Sequence, residues 1–158
     1  MDESDRIDKL AEFVADHPDT LLELILKLNV SGVYDRIIRC PTYPLSDSNS
    51  DISSEVRELE ILLESDPGMA SDVLAVLYES AIGEKTRKNQ GHFFTPQRVA
   101  NWMFANIGIS ANETILDPGC GTAAFAISCS GATPNGLTYL GIENDPILAL
   151  CSSIVLES

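Results

Sequence analysis

Basic residues are scarce: 10 lysines and arginines stand against 24 aspartates and glutamates, giving a formal net charge of -14 over 158 residues. A surface of that sign repels DNA phosphates, so the chain alone is not expected to bind nucleic acid tightly. It does suit a salt-rich habitat, where the Debye length falls to about 3 Å at 1 M salt. That expectation concerns the source rather than the function, and molar salt should then stabilise the protein. No apolar run approaches the roughly 20 residues a membrane helix needs. The acidic start "MDESDRIDKL" is not a secretory leader, and a cytoplasmic location is expected. The four cysteines, Cys40, Cys120, Cys129 and Cys151, form no C-x-x-C pair, and His17 and His92 lie far apart. A zinc site and a disulfide framework are therefore not expected, and the thiols read as reduced and mostly buried.

What is present suits a soluble α/β chain of one ordinary domain, able to bury roughly two-thirds of its unfolded surface. Helical spacing of apolar residues predicts two helices between Asp5 and Asn29, broken at "DHPDT", the second starting on a Thr20–Glu23 capping box. After the loop "RCPTYPLSDSNSDISS", two more helices run through "EVRELEILLES" and "MASDVLAVLYESAI", with Asp66 and Pro67 suited to the start of the latter. These features divide the chain into a helical region (1–45), a polar linker (46–54), a second helical region (55–90) and a final α/β portion (91–158). Up to Gln90 there are 19 acids and 9 bases, and beyond it 5 acids and one base, Arg98. Lys85, Arg87 and Lys88 form the one basic cluster. The last portion reads helix "PQRVANWMFANIG", strand "ETILD", glycine turn, helix "TAAFAISC", strand "LTYLGIE" and helix "DPILALCSSIVLE". Strands alternating with helices imply a parallel sheet.

The glycine turn carries the chemistry. Asp117, Pro118, Gly119, Cys120, Gly121 and Thr122 link an apolar strand to a helix of small residues. Glycines there admit a ligand close to the backbone, and the free N–H groups of the helix start suit an anionic group. A parallel βαβ unit brings Glu143, at the end of the second strand, beside this turn, where it can accept ribose hydroxyls. Gly119, Gly121 and Ala124 also match the loose dinucleotide pattern G-x-G-x-x-A. A pyrophosphate, however, would face Asp117 across a short distance, whereas a sulfonium amino acid would be attracted to it.

"DPGCGTAAF" resembles the D-P-A-C-G-T-G-x-F motif of the N-6 adenine-specific DNA methyltransferases, and "GIENDP" is similar to their G-x-E-x-D-P motif. "GHFFTPQRVANWM" resembles their G-x-[FY]-[FY]-T-P-x-x-[VI]-x-x-x-[ML] segment. The likeness runs from about Lys85 to the end, in the family's order, and the N-terminal helices compare only in kind with those of type I modification subunits. It implies a Rossmann-like methyltransferase sheet binding S-adenosyl-L-methionine. By that resemblance Phe94, Thr95 and Pro96 close over the methionine end, Asp117, Gly119 and Gly121 frame it, and Glu143 holds the ribose. Asn144 stands where relatives often have an apolar residue packed on the adenine. Gly119 replaces the usual alanine and Ala124 a common glycine. Plainer readings stand beside these roles: Thr95 and Pro96 as an N-cap and first helical residue, Phe93 and Phe94 as core, Asp145 and Pro146 as the start of the last helix.

The family's catalytic loop, Asn/Asp-Pro-Pro-Tyr/Phe, has no counterpart, since no two prolines are adjacent. Two strands of a sheet of about seven leave an edge and helix faces to be covered. The resemblance thus implies the cofactor-binding part of a restriction-modification enzyme with no catalytic residue of its own and no metal. A truncated or fragmented gene is the first reading of that shortage; half of a split enzyme, or a shortened product kept for binding, are the others. No turnover by the chain alone is expected. Implied partners are DNA in the intact enzyme and a complementary methyltransferase chain or specificity subunit. Two other classes remain open: a non-catalytic interaction module, and a methyltransferase acting on RNA or a protein glutamine.

Overall fold

The computed structural model describes residues 2–28, 51–91, 93–132 and 136–157. Cys40, His92 and most of the proline- and serine-rich loop lie outside the described residues. The acidic start forms α1 (Glu3–Asp16), which buries Leu10 and Val14 one turn apart. Its capping box is made by Asp2 and Asp5, each carboxylate accepting from the other residue's backbone N–H. In α2 (Thr20–Lys27) the expected Thr20–Glu23 box does not form. Thr20 is already helical, and its hydroxyl donates back to His17 O at 2.6 Å, closing the inter-helix turn; Glu23 pairs instead with Lys27 at 2.7 Å.

Helix α3 (Ser53–Ser65) buries Leu59, Leu62 and Leu63. Asp66 then caps a short 3-10 turn, Pro67–Met69, accepting from Gly68 N at 3.0 Å, with Pro67 at its start. Helix α4 (Ala70–Gln90) follows and is broken at Gly83, whose φ of 70° and ψ of 157° lie outside the helical region and favour glycine. In the second segment Arg87 pairs with Glu79, and Lys88 with Glu84 at 2.5 Å. The basic cluster is thus largely matched by acids of its own helix. The first segment buries Val73, Leu74, Leu77 and Tyr78 in one core that also takes residues from α1, α2 and α3.

The α/β portion begins with α5 (Gln97–Ala105), followed by β1 (Thr114–Pro118), α6 (Ala124–Ala132), β2 (Thr138–Ile142) and α7 (Pro146–Glu157). The strands are parallel and in register from Thr114 opposite Thr138 to Pro118 opposite Ile142. Among the described residues the chain is therefore α/β, with helices predominating. Asp145 starts α7 as expected, its Oδ1 accepting from Ile147 N and Leu148 N at 2.8 and 3.1 Å. Strand alternation puts Leu116, Leu140 and Ile142 on one face of the sheet, where they remain 60%, 51% and 58% exposed. On the other face Tyr139 packs against the core. Phe94 also packs against the core, but Phe93 is 71% exposed, which overturns its reading as core. None of the helices among the described residues is long and apolar enough to cross a membrane.

Candidate functional site

Parallel register delivers the ends of both strands to one place. As the chain leaves β1, Gly119 N–H and Cys120 N–H donate to Ile142 O at 2.6 and 3.0 Å, fastening the turn to the end of β2. The next residue, Glu143, reaches back: its Oε2 accepts from Gly121 N at 2.8 Å. Its Oε1 accepts from Asn144 N and Asp145 N at 2.7 and 2.9 Å. A carboxylate offers about four lone-pair positions. Three are filled by backbone N–H groups, so Glu143 is rigidly aimed and keeps one position for a ligand hydroxyl, fewer than the two a ribose offers.

The turn itself is open. Gly119 and Gly121 have φ of 88° and 55°, a region costly to any residue with a Cβ. At Gly121 a Cβ would also lie 3.4 Å from the Phe94 ring, so the missing side chain is the gap between backbone and aromatic face. Ala123, with φ 63° and fully buried, is the strained member. Ala123, not Ala124, stands at the second glycine of the quoted D-P-A-C-G-T-G-x-F motif, which corrects the reading of Ala124 as the replaced glycine.

Asp117 is held from below. Tyr139 OH donates to its Oδ2 at 2.6 Å. Register accounts for the reach: Tyr139 lies opposite Ile115 on the same sheet face as Asp117, and Gly141 lies opposite Asp117. A Cβ at Gly141 would come within 2.8 Å of Cys120 Sγ and 3.3 Å of Tyr139 Cε1. The glycine of "GIENDP" therefore makes room for the tyrosine ring and the thiol. Burial, then the hydrogen bond to Asp117 and that group's charge, push the Tyr139 phenol up, so it stays a proton donor.

Helix α4 ties the three motif segments together. Ser71 Oγ and Thr122 Oγ1 are 2.8 Å apart and buried, linking α4 to the glycine turn. Asp72 Oδ1 accepts from Gln97 N at 2.9 Å and caps α5 from 25 residues away. Thr95 is thus not the N-cap: that position is Pro96, and no side chain of its own segment caps the helix. Tyr78 OH donates to Asp145 Oδ2 at 2.8 Å, and its ring meets Phe94 edge-on at 5.8 Å. Gln97 is buried, its Nε2 within 3.0 Å of Asn101 Oδ1, Ala124 O and Ser128 Oγ, which docks α5 on α6.

Electrostatically the site is anionic, with Asp117, Glu143 and Asp145 around one turn. It suits a cationic, hydroxyl-bearing ligand better than a polyphosphate. The thiols among the described residues are poor nucleophiles. Burial raises Cys129 to about 11, with Asp117 adding to the effect, and it raises Cys120 and the fully enclosed Cys151 as well. No group of metal-ligating side chains occurs among the described residues. A cleft of about 680 Å³ lies elsewhere, between Phe104 of α5, Ile127 and Ser128 of α6 and Val155 of α7. None of the turn residues lines it, and its apolar walls carry none of the acids.

Of the residues picked out from sequence, the structure joins Asp117, Gly119, Gly121 and Glu143 into one turn and sets Phe94 against Gly121. Asn144 is exposed and reaches the site through its backbone N–H. Thr95 is half-buried and Pro96 exposed; among the described residues, neither forms a hydrogen bond to the turn. Sequence reading missed Tyr139, Gly141, Ser71, Asp72, Tyr78 and Gln97 as supports of the site. For Tyr139 a signal existed, since alternation along β2 puts it on the face shared by Asp117 once parallel pairing is assumed.

The family described as N-6 DNA Methylase matches residues 69–152. The type II methyltransferase M.CvrRI of Paramecium bursaria Chlorella virus XZ-6E is 32% identical over 72 residues, which are 46% of this chain and 19% of that protein. The chain thus spans less than a fifth of that relative's length. No solved structure gives a significant match. The matched span starts just before α4, so it takes in the helix that ties the site together as well as the motifs.

Proposed function

Because the chain belongs to the N-6 DNA methylase family, we propose that its glycine turn is the S-adenosylmethionine site of an adenine-specific DNA methyltransferase of the restriction-modification type. The observation that carries this reading is the pairing of Gly121 N–H with the Glu143 carboxylate at 2.8 Å, beside an acid, Asp117, at the strand end. The residues fit the cofactor. Glu143 would offer its remaining lone pair to a ribose hydroxyl, the glycines would let the ligand approach the backbone closely, and Asp117 would attract the cationic sulfonium and ammonium. The Phe94 ring packs beside Gly121, and by the family resemblance Thr95 and Pro96 would lie near the methionine end and Asn144 near the adenine. The sheet is the start of a Rossmann-like one.

When bound, the cofactor supplies a methyl group on a cationic sulfur, ready for in-line displacement by an amine. This chain's residues bind and orient it. Holding a flipped adenine and aiming its amino group belong to the Asn-Pro-Pro-Tyr type of loop, which this sequence does not contain. The chain alone is therefore expected to bind cofactor without methylating DNA.

The open sheet face favours a second element in the same reading. Leu116, Leu140 and Ile142 form an apolar surface that a further part of a methyltransferase sheet would cover, whether a continuation of this polypeptide or a complementary chain. The test is reconstitution. The chain is mixed with a polypeptide carrying Asn-Pro-Pro-Tyr and the remaining strands, and labelled methyl transfer to DNA is measured. Transfer to adenine N6 by the mixture alone supports the proposal. Transfer by the 158-residue chain alone contradicts the division of labour, and transfer to RNA or protein but not DNA contradicts the substrate.

A further inference from the structure

We infer that Tyr139 is a positioning residue for the methionine end of the cofactor, acting through Asp117. The inference rests on the reading of the glycine turn given above. A lone carboxylate at a strand end rotates freely about its last torsion. Here the Tyr139 hydroxyl, 2.6 Å from Oδ2, fixes that rotation. Among the described residues, Oδ1 has no hydrogen-bond partner, so one oxygen is anchored and the other is free to meet a ligand cation.

The anchor is built rather than incidental. Tyr139 is half-buried on the core side of β2, its ring passes the position where Gly141 lacks a Cβ, and strand register sets the ring beside Asp117. A side chain at residue 141 would push on both the ring and Cys120 Sγ, so "GIEND" and "LDPGCG" are fitted to each other through this tyrosine. The phenol has only a donor's part in the bond: Asp117 is acceptor-only when ionised, and burial keeps the phenol protonated. Removing the hydroxyl leaves the ring in place and frees the carboxylate to turn.

Such a role touches only the part of the ligand that Asp117 faces. The experiment is calorimetric titration of the purified chain with two probes, S-adenosylhomocysteine and 5′-methylthioadenosine, which share the thioether-linked adenosine and differ in the amino-acid arm. Tyr139→Phe is expected to lose about tenfold in affinity for S-adenosylhomocysteine, the scale of one charged hydrogen bond. It should bind methylthioadenosine within about twofold of the unaltered chain. Asp117→Asn should show the same split, whereas Glu143→Gln should weaken both probes. Equal loss of both probes in Tyr139→Phe would assign the tyrosine to general structure and overturn the inference. Unchanged affinity for both would overturn it too, while leaving the pocket reading intact. If the unaltered chain bound neither probe, the pocket reading itself would fail, and the inference with it.

Discussion

Asp117 and Glu143 were legible in the sequence because each sits in a short motif whose chemistry is local: an acid next to glycines, and an acid at a strand end. Their supports were not, because a partner such as Tyr139 is defined only by strand pairing. Gly141 shows the same limit, looking like punctuation in "GIENDP" until register puts the Cys120 thiol and the Tyr139 ring where its side chain would be. Gly141→Ala is expected to cost about 1–3 kcal/mol through that crowding. Urea unfolding should show it, and adding Cys120→Ala should recover part of the loss, which a double-mutant cycle measures. The glycine turn had a further surprise at Ala123. Gly119 and Ala124 read as departures from the motif, but Ala123 is the residue aligned with its second glycine and the non-glycine one held at positive φ.

Elements were more legible than their ends. The helix–strand–helix–strand–helix order beyond Gln90 follows from the change of apolar period, whereas the helix expected to end at Ile82 resumes after Gly83 and runs to Gln90. Caps failed where the partner came from elsewhere: Thr95 has the chemistry of an N-cap, but the N–H of Gln97 goes to Asp72, on a different helix. Thr20 turned back to His17 because the short "DHPDT" break needed closing more than the next helix needed a cap. Asp72→Ala should therefore destabilise the chain by about 1 kcal/mol, a typical cap loss. Amide hydrogen exchange should quicken at Gln97 and the first turn of α5, while α1 is unaffected. Loss of protection spread evenly over the chain would contradict so local a role for Asp72.

At the scale of the whole molecule, one core runs from Leu10 of α1 to Val155 of α7, so the N-terminal helices and the candidate site share their stability. Thiol titration gives that stability a pH dependence. Cys129 has a value of 9.0 when unperturbed and about 11 in the fold. A raised value means the folded state holds the proton more tightly, so this contribution is complete below pH 9 and is lost as pH rises toward 11. Melting temperatures should fall above about pH 9, with Cys120, Cys151 and Tyr139 adding to the fall, and Cys129→Ala should lessen its slope without abolishing it, even though it lowers the plateau. The net charge of -14 was plain from composition; which face of the described two-stranded sheet is left bare, Leu116 with Leu140 and Ile142, needed the register.

On the reading proposed above, an acid-framed glycine turn selects a sulfonium nucleoside over a pyrophosphate. The most direct test of that selection is calorimetric titration of the purified chain with S-adenosylmethionine and, separately, with NAD. Saturable binding of S-adenosylmethionine, abolished by Asp117→Ala and by Glu143→Ala, is expected, with no binding of NAD. Tight binding of NAD, or unchanged affinity for S-adenosylmethionine in both variants, would contradict it.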